Sequence, residues 1–288
     1  MTAPTGYTSI KDLLQRWRLG RLLLRFRSVL RGQESAHGRE IESLNDAYDQ
    51  QAVEVMSRIL TTDSCCIDVG AHRGAILKDI VRISPDGSHL AFEPLPHLAE
   101  ELRTTYPDVR VVQAAVSDET GTARFVYVEN DPAYSGLRQR VYDRPDPVLR
   151  PLTVNVVRVD DVVPGDAPVA FIKIDIEGGE LHALRGAEHT IRRCRPTIVF
   201  EASAKSTGQY GVESEDVYQF ITERLGYDLS TMRRWLDDRS PFTGEMFCEN
   251  WRKGPDFYFI AYPRASEASG APGEELLYGG AGGTRLER

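Results

Sequence analysis

The sequence lacks the features that mark several large classes of protein. Its four cysteines, Cys65, Cys66, Cys194 and Cys248, show no metal-like spacing, and neighbours such as Cys65 and Cys66 make a poor disulfide. Reduced, mostly buried thiols are therefore expected. Basic residues are also in deficit: 35 Lys and Arg against 43 Asp and Glu leave a net charge of -8 and a pI near 5.4. Without an excess of cations to neutralise phosphates, coating nucleic acid is excluded as the main task, and a small-molecule or protein substrate is the better expectation. No apolar run approaches the roughly 20 residues of a membrane span. Residues 1–6 lack the charged-then-apolar order of a signal peptide. A cytoplasmic protein with no transmembrane segment is the resulting expectation, and no internal repeat is visible.

With 41% hydrophobic and 27% charged residues, the chain has an ordinary globular composition and enough length for one well-packed core. Residues 1–45 read as a helical extension and linker, 46–263 as the catalytic domain, and 264–288, rich in Gly, Ala, Ser and Glu, as a disordered tail. Residues 11–31, KDLLQRWRLGRLLLRFRSVLR, interleave basic side chains with Leu, Trp17, Phe26 and Val29 as an amphipathic helix interrupted by Gly20. A lid, a membrane-surface contact, the arm of a homodimer or a helix docked on its own domain all fit that pattern. Residues 32–38 read as a linker, and a second helix is expected over about 41–60.

From Ser64 onward short β-rich runs alternate with helical stretches, the pattern of βαβ units in a mainly parallel sheet. Strands are expected at 65–69, 89–92, 109–113, 170–175, 197–201 and 257–262. Two more strand-like runs, 123–128 and 152–159, lie too close together for a crossover helix. They predict an antiparallel insertion flanking the loop 129–150.

Three segments carry the chemistry. CCIDVGAHRG, residues 65–74, is an apolar strand ending at Asp68 that turns through Gly70 and Gly74 into a helix. Glycines let backbone pass close beneath a ligand, and a helix N-terminus offers oriented N–H donors. LAFEPLP then places Glu93 after the second strand, where a carboxylate can accept both ribose hydroxyls. A nicotinamide-binding domain satisfies both features equally. FIKIDIEGGELHALRGA, residues 171–187, separates the two readings, with an apolar strand leading into Asp175, Glu177 and a helix from about Gly179.

These segments, together with AVSDETGT at 115–122 and VDDVV at 159–163, resemble the FkbM family of small-molecule O-methyltransferases over about residues 50–262. The resemblance implies an α/β, Rossmann-like class I fold of S-adenosylmethionine (SAM) dependent methyltransferases. Its seven-stranded, mainly parallel sheet would have the order 3-2-1-4-5-7-6 and an antiparallel seventh strand. Carried over by position, Asp68, Gly70, Ala71, His72 and Gly74 would surround the methionine part of SAM and Glu93 would hold the ribose. Ala115, Val116 and Ser117 would border the adenine. The departure from the family is His72, where Asn is commoner, which introduces a titratable ring.

Methyl transfer from a sulfonium needs an acceptor held in line and a proton removed. Asp175, Glu201 and Glu177 are the expected catalytic carboxylates, with Asp175 also in the cofactor shell. His182 is a further candidate base. Asp175 and Glu201 are candidate ligands for a divalent cation such as magnesium. The competing role of Glu177 and Glu180 is to bond the turn and the helix N-terminus behind it. Tyr134, Ser135 and Arg138, in the long loop, are candidates for substrate contact. The expected activity is methylation of a hydroxyl on a sugar, polyketide or other secondary metabolite. Carboxyl or N-methylation, a nicotinamide-dependent oxidoreductase and a non-catalytic SAM-binding scaffold are the alternatives. The expected catalytic domain, 46–263, carries no Tyr-x-x-x-Lys or similar hydride-transfer constellation, which weighs against the oxidoreductase.

Overall fold

The computed structural model describes residues 36–142 and 146–264, with side chains from residue 44 onward. The basic segment 11–31 and the tail beyond 264 lie outside the described residues. The chain divides into two units, Met1–Gln50 and Gln51–Arg288. The described part of the first is the start of the helix Ala36–Ile59, which begins within the expected linker. The strands and the site belong to the second.

That unit is built on a seven-stranded sheet. β1 (Cys66–Val69), β2 (Leu90–Phe92), β3 (Arg110–Val112), β7 (Phe171–Ile174) and β8 (Thr197–Glu201) run parallel, while β10 (Tyr258–Pro263) lies antiparallel between β8 and β9 (Tyr227–Thr231). The order is β3-β2-β1-β7-β8-β10-β9, the expected 3-2-1-4-5-7-6 arrangement. Parallel strands covered on both faces read as unbroken apolar runs. CIDV in β1 and FIKI in β7 are buried at every position. Ile67, Val69, Ile172, Ile174, Ile198 and Phe200 form the centre of the main core.

β4 (Ala115–Val116), β5 (Gly121–Val128) and β6 (Leu149–Val157) form a separate three-stranded sheet in the order β4-β6-β5. β5 and β6 are antiparallel, so the expected insertion and its flanked loop are present. Two details differ from the expectation. Val159 does not extend β6 but opens the short helix Val159–Val162, after Arg158 has turned the chain. The sixth strand of the main sheet, β9, was not visible as a strand because YDLST is half polar. In the fold Ser230 and Thr231 are nonetheless buried.

Candidate active site

The sheet reverses its winding between β1 and β7, the neighbours from which connections leave in opposite directions. In such folds the crevice beyond the carboxyl ends of those strands is the ligand site. The β1 turn forms one wall. Gly70 has φ +78, and a Cβ there would lie 2.0 Å from the Asp175 carbonyl oxygen; Gly74, also at φ +78, would meet Tyr106 at 2.8 Å. Neighbouring protein by itself thus favours glycine at both positions, beside any role towards a ligand. The donors of this turn are also spent internally. Gly70 N and Ala71 N both donate to Phe92 O at 3.0 Å, and Gly74 N donates to Ala71 O at 2.7 Å. His72, in the left-handed region at φ 49, donates its N–H to Glu93 Oε2 at 2.8 Å.

Glu93 is therefore a clasp between two loops. Its second oxygen, Oε1, accepts from Leu95 N at 2.8 Å. It is only 4% exposed, and burial raises its pKa to about 7 in spite of these bonds. What the β1 turn leaves open are side-chain atoms. Asp68, 1% exposed, faces Lys173 Nζ at 3.8 Å, yet neither of its oxygens closes a normal hydrogen bond. Burial pushes its pKa up against the pull of Lys173. His72 Nε2 is likewise buried without a hydrogen-bond partner, and burial, then the charges of Arg73 and Lys173, keep the ring neutral.

The opposite wall is the β7 turn. Lys173 Nζ donates to Gly70 O at 3.3 Å and lies 3.3 Å from Asp175 Oδ2, so one ammonium ties both strand ends together. Tyr258, paired with Glu201 in the β10–β8 register, donates its hydroxyl to Asp175 Oδ2 at 2.5 Å. Burial alone would raise the Asp175 pKa, but Lys173 and hydrogen bonds from Glu201 and Tyr258 bring it below the ordinary value. Glu201 moves the other way: burial first, then the Asp175 charge, hold it well above the usual carboxylate range. Like charges this close in a buried site oppose each other, so Asp175 is the stronger acid of the pair and Glu201 the weaker.

Glu177, at φ 64 and 9% exposed, is paired with Arg140 from the loop between β5 and β6. Arg140 also lies over the Tyr134 ring, 5.0 Å from its centroid. Glu180 serves the turn: its Oε1 accepts from Ile176 N and Gly178 N, both at 3.1 Å, and burial raises its pKa to about 7. His182 sits in the first turn of the helix Glu180–Gly186 with its ring 5.6 Å from that of Tyr210, and its buried Nδ1 has no hydrogen-bond partner.

Asp68, His72 and Glu93 of the sequence-based set thus meet around the β1 turn, while Asp175, Glu177 and Glu201 meet at the β7 and β8 ends. Ala115 and Val116 are buried in β4. Ser117 follows them, its N–H donating to Val157 O at 3.1 Å and its hydroxyl to Asp118 Oδ1 at 3.1 Å. Of the loop residues, Tyr134 packs on Arg140, Arg138 lies 5.9 Å over the Tyr210 ring, and Ser135 Oγ accepts from Val128 N at 3.0 Å as a local brace. Sequence reasoning assigned no role to Lys173, Tyr258 or Arg140. A lysine within an apolar buried strand was the available signal for the first; the other two are remote in sequence and gave none.

Asp175, Glu177 and Glu201 each present an oxygen within 4.8 Å of the others, the spacing of a cation site. Asp175 already meets Lys173 and Tyr258, and Glu177 meets Arg140.

Residues 68–229 match the family model of the methyltransferase FkbM domain. Among curated proteins none matches the chain. Solved structures match at low identity. A methyltransferase FkbM from Methylobacillus flagellatus is 18% identical over 70% of this chain and 44% of its own, with a TM-score of 0.44. The chain therefore spans less than half the length of that protein. A TehB-like SAM-dependent methyltransferase from Corynebacterium glutamicum is 12% identical over 85% of this chain and 97% of its own, with a TM-score of 0.40. A methyltransferase from Streptococcus mutans, in complex with SAH, is 10% identical over 75% of this chain and 97% of its own, at 0.41. The family match begins at Asp68 in β1 and ends at Leu229 in β9, so it spans both walls of the cleft and more than half of the 288 residues, and on that ground the chain belongs to the methyltransferase FkbM family.

Proposed function

We propose that this protein transfers a methyl group from SAM to a hydroxyl of a small molecule such as a sugar, polyketide or other secondary metabolite. The observation that carries the reading is the half-buried carboxylate Asp175, tied through Lys173 to Gly70 O and Asp68 of the β1 turn. SAM fits what that turn offers. Buried polar atoms without partners call for a polar ligand, and here they are the Asp68 carboxylate and His72 Nε2. Asp68, Gly70, Ala71, His72 and Gly74 would surround the methionine part, and Ala115, Val116 and Ser117 would border the adenine. Glu93 would take the ribose through the second lone pairs of its two oxygens. When bound, SAM supplies an electrophilic methyl group on a positively charged sulfur.

The chain's own residues then orient and deprotonate the acceptor. Asp175, charged and half-buried, accepts a hydrogen bond from the acceptor hydroxyl and receives its proton as the oxygen–methyl bond forms. A low Asp175 pKa is no obstacle, because a hydroxyl oxygen becoming an oxonium is far more acidic than any carboxylic acid. The products are a methyl ether, a neutral thioether and a proton held by the carboxyl pair. A carboxylate acceptor needs no base and would be repelled by Asp68, Asp175 and Glu177. An amine acceptor is the second reading, since the same acidic floor attracts its cationic form. The step as written takes its base from Asp175 and involves no divalent cation.

Two measurements test this. Calorimetric titration with SAM and with NAD(H) should show binding of SAM alone, and binding of NAD(H) alone would restore the oxidoreductase. Transfer of labelled methyl groups to a panel of alcohols, amines and acids should favour alcohols and persist in chelator. Methylation of amines only would install the second reading. SAM binding with no transfer to any acceptor would favour the scaffold. From its sequence, the basic segment 11–31 is proposed as a docking or homodimer arm. Deleting residues 1–34 should then lower the melting temperature, oligomeric mass or turnover, whereas binding of anionic liposomes by the full chain alone, with those three unchanged, would assign it to a membrane surface.

A further inference from the structure

Tyr258 reaches the site from β10, which β7 and β8 separate from β1 in the sheet. β10 runs antiparallel to β8, and its first residue lies opposite Glu201, the last residue of β8. The side chain therefore stands at the same sheet end as Asp175, 83 residues earlier in the chain, and its hydroxyl meets Asp175 Oδ2 at 2.5 Å. That distance belongs to short, charge-assisted O–H···O bonds. Lys173 Nζ approaches the same oxygen at 3.3 Å. Asp175 Oδ2 is thus held by two donors from two strands, β7 and β10.

We propose that Tyr258 is a positioning residue for methyl transfer: its hydroxyl fixes Asp175 Oδ2 so that the remaining lone pairs of the carboxylate face the acceptor. This rests on the reading of Asp175 as proton acceptor. A carboxylate free to rotate about its Cβ–Cγ bond would present either oxygen to Glu201, Lys173 or the acceptor. With Oδ2 held by Tyr258 and Lys173, the rotation is stopped.

Among the other described residues facing Asp175, Glu201 is a further donor, and the rest supply no such restraint. From β1, Asp68 is of like charge and His72 is neutral. From β8, Glu201 donates a hydrogen bond to Asp175. From the helix after β7, Glu180 repels it and is committed to the turn amides. Arg140, the loop cation, is directed to Glu177. Lys173 and Tyr258 remain, and Lys173 also serves Gly70 O and Asp68. Tyr258 is the donor through which β10 acts on this carboxylate.

The test follows the Asp175 carboxyl itself by carbon NMR in full-length protein labelled with 13C-aspartate, with Asp175→Asn assigning the resonance. Tyr258→Phe should move the Asp175 titration midpoint up by about one pH unit, a tenfold change for one lost charge-assisted bond. It should lower kcat about tenfold towards whichever alcohol of the panel is methylated and leave SAM affinity within about twofold. Should Tyr258→Phe fail to fold, a fluorinated tyrosine at position 258, a stronger donor of nearly the same shape, should move the midpoint down. A midpoint unmoved by either change overturns the proposal. If Asp175→Asn is inactive while Tyr258→Phe keeps wild-type turnover, the inference fails alone. If Asp175→Asn retains full turnover, the underlying reading fails and takes the inference with it.

Discussion

Glu93 shows how one residue can hold a structural and a binding task at once. Both of its oxygens accept backbone N–H bonds, from His72 and Leu95. Truncation would strand two buried donors, each costing about 1–3 kcal/mol. Glu93→Ala is therefore expected to lower the melting temperature of the ligand-free protein as well as SAM affinity. Scanning calorimetry with and without SAM checks this, and an unchanged ligand-free melting temperature would show that the clasp contributes nothing. Asp175→Asn is expected to behave differently. The amide keeps the shape and removes the charge, so turnover should fall by on the order of 100-fold or more while SAM affinity changes little. Equal loss of SAM binding would move Asp175 from the acceptor side to the cofactor shell.

At the scale of elements, the close approach of β1 and β7 sets the width of the cleft. Gly70 marks that approach, because its missing Cβ would overlap the Asp175 carbonyl and its φ of +78 disfavours any side chain. Gly70→Ala is expected to destabilise the protein by several kcal/mol or prevent folding, since it combines backbone strain with a steric clash against main chain. Gly211, at φ +66 with nothing within 4 Å of a built Cβ, isolates the first effect. Gly211→Ala should cost only about 1 kcal/mol. Urea unfolding of the pair reads the difference, and equal costs would mean that strand approach at Gly70 is not a constraint. The loop between β5 and β6 is anchored by Arg140 on Glu177, so Arg140→Met should leave a buried carboxylate uncompensated and raise acceptor KM more than it changes SAM affinity. Equal changes in the two would place Arg140 outside acceptor binding.

For the whole molecule, the buried carboxyls tie stability to pH. Glu93 and Glu180 rise from 4.5 to about 7 in the fold. Between those values the unfolded chain has released these protons and the folded one still holds them. Their contribution therefore falls as pH rises from about 4.5 through 7, by an amount on the order of a few kcal/mol. His72 and His89, held neutral by burial, act in the opposite sense as pH rises through about 6.5, so the clean signal is a difference between variants. Glu180→Gln replaces a protonated carboxyl with a neutral amide whose oxygen can still accept from Ile176 and Gly178. Denaturant unfolding from pH 5 to 8 should show a flatter loss of stability for this variant than for wild type. Identical slopes would mean that Glu180 is ionised in the fold throughout.

The sequence by itself determined most of the parallel sheet. Parallel strands buried on both faces are nearly continuous apolar runs, so CIDV, LAF and FIKI announce their structure, while their order in the sheet came with the family resemblance. The family resemblance rested on those same local segments. Tertiary structure alone decided which polar groups met. Glu93 became a clasp because the β1 turn directs an amide at it, and Asp175 and Glu201 came to oppose each other because β7 and β8 are adjacent. Tyr258 entered the site only because β10 runs back antiparallel beside β8. β9 was hidden by its polar residues and is strand only because β10 and its neighbours bury them. Local periodicity encodes which face of an element is buried, whereas the opposition of two carboxyls remote in sequence depends on distances that only the packed chain fixes.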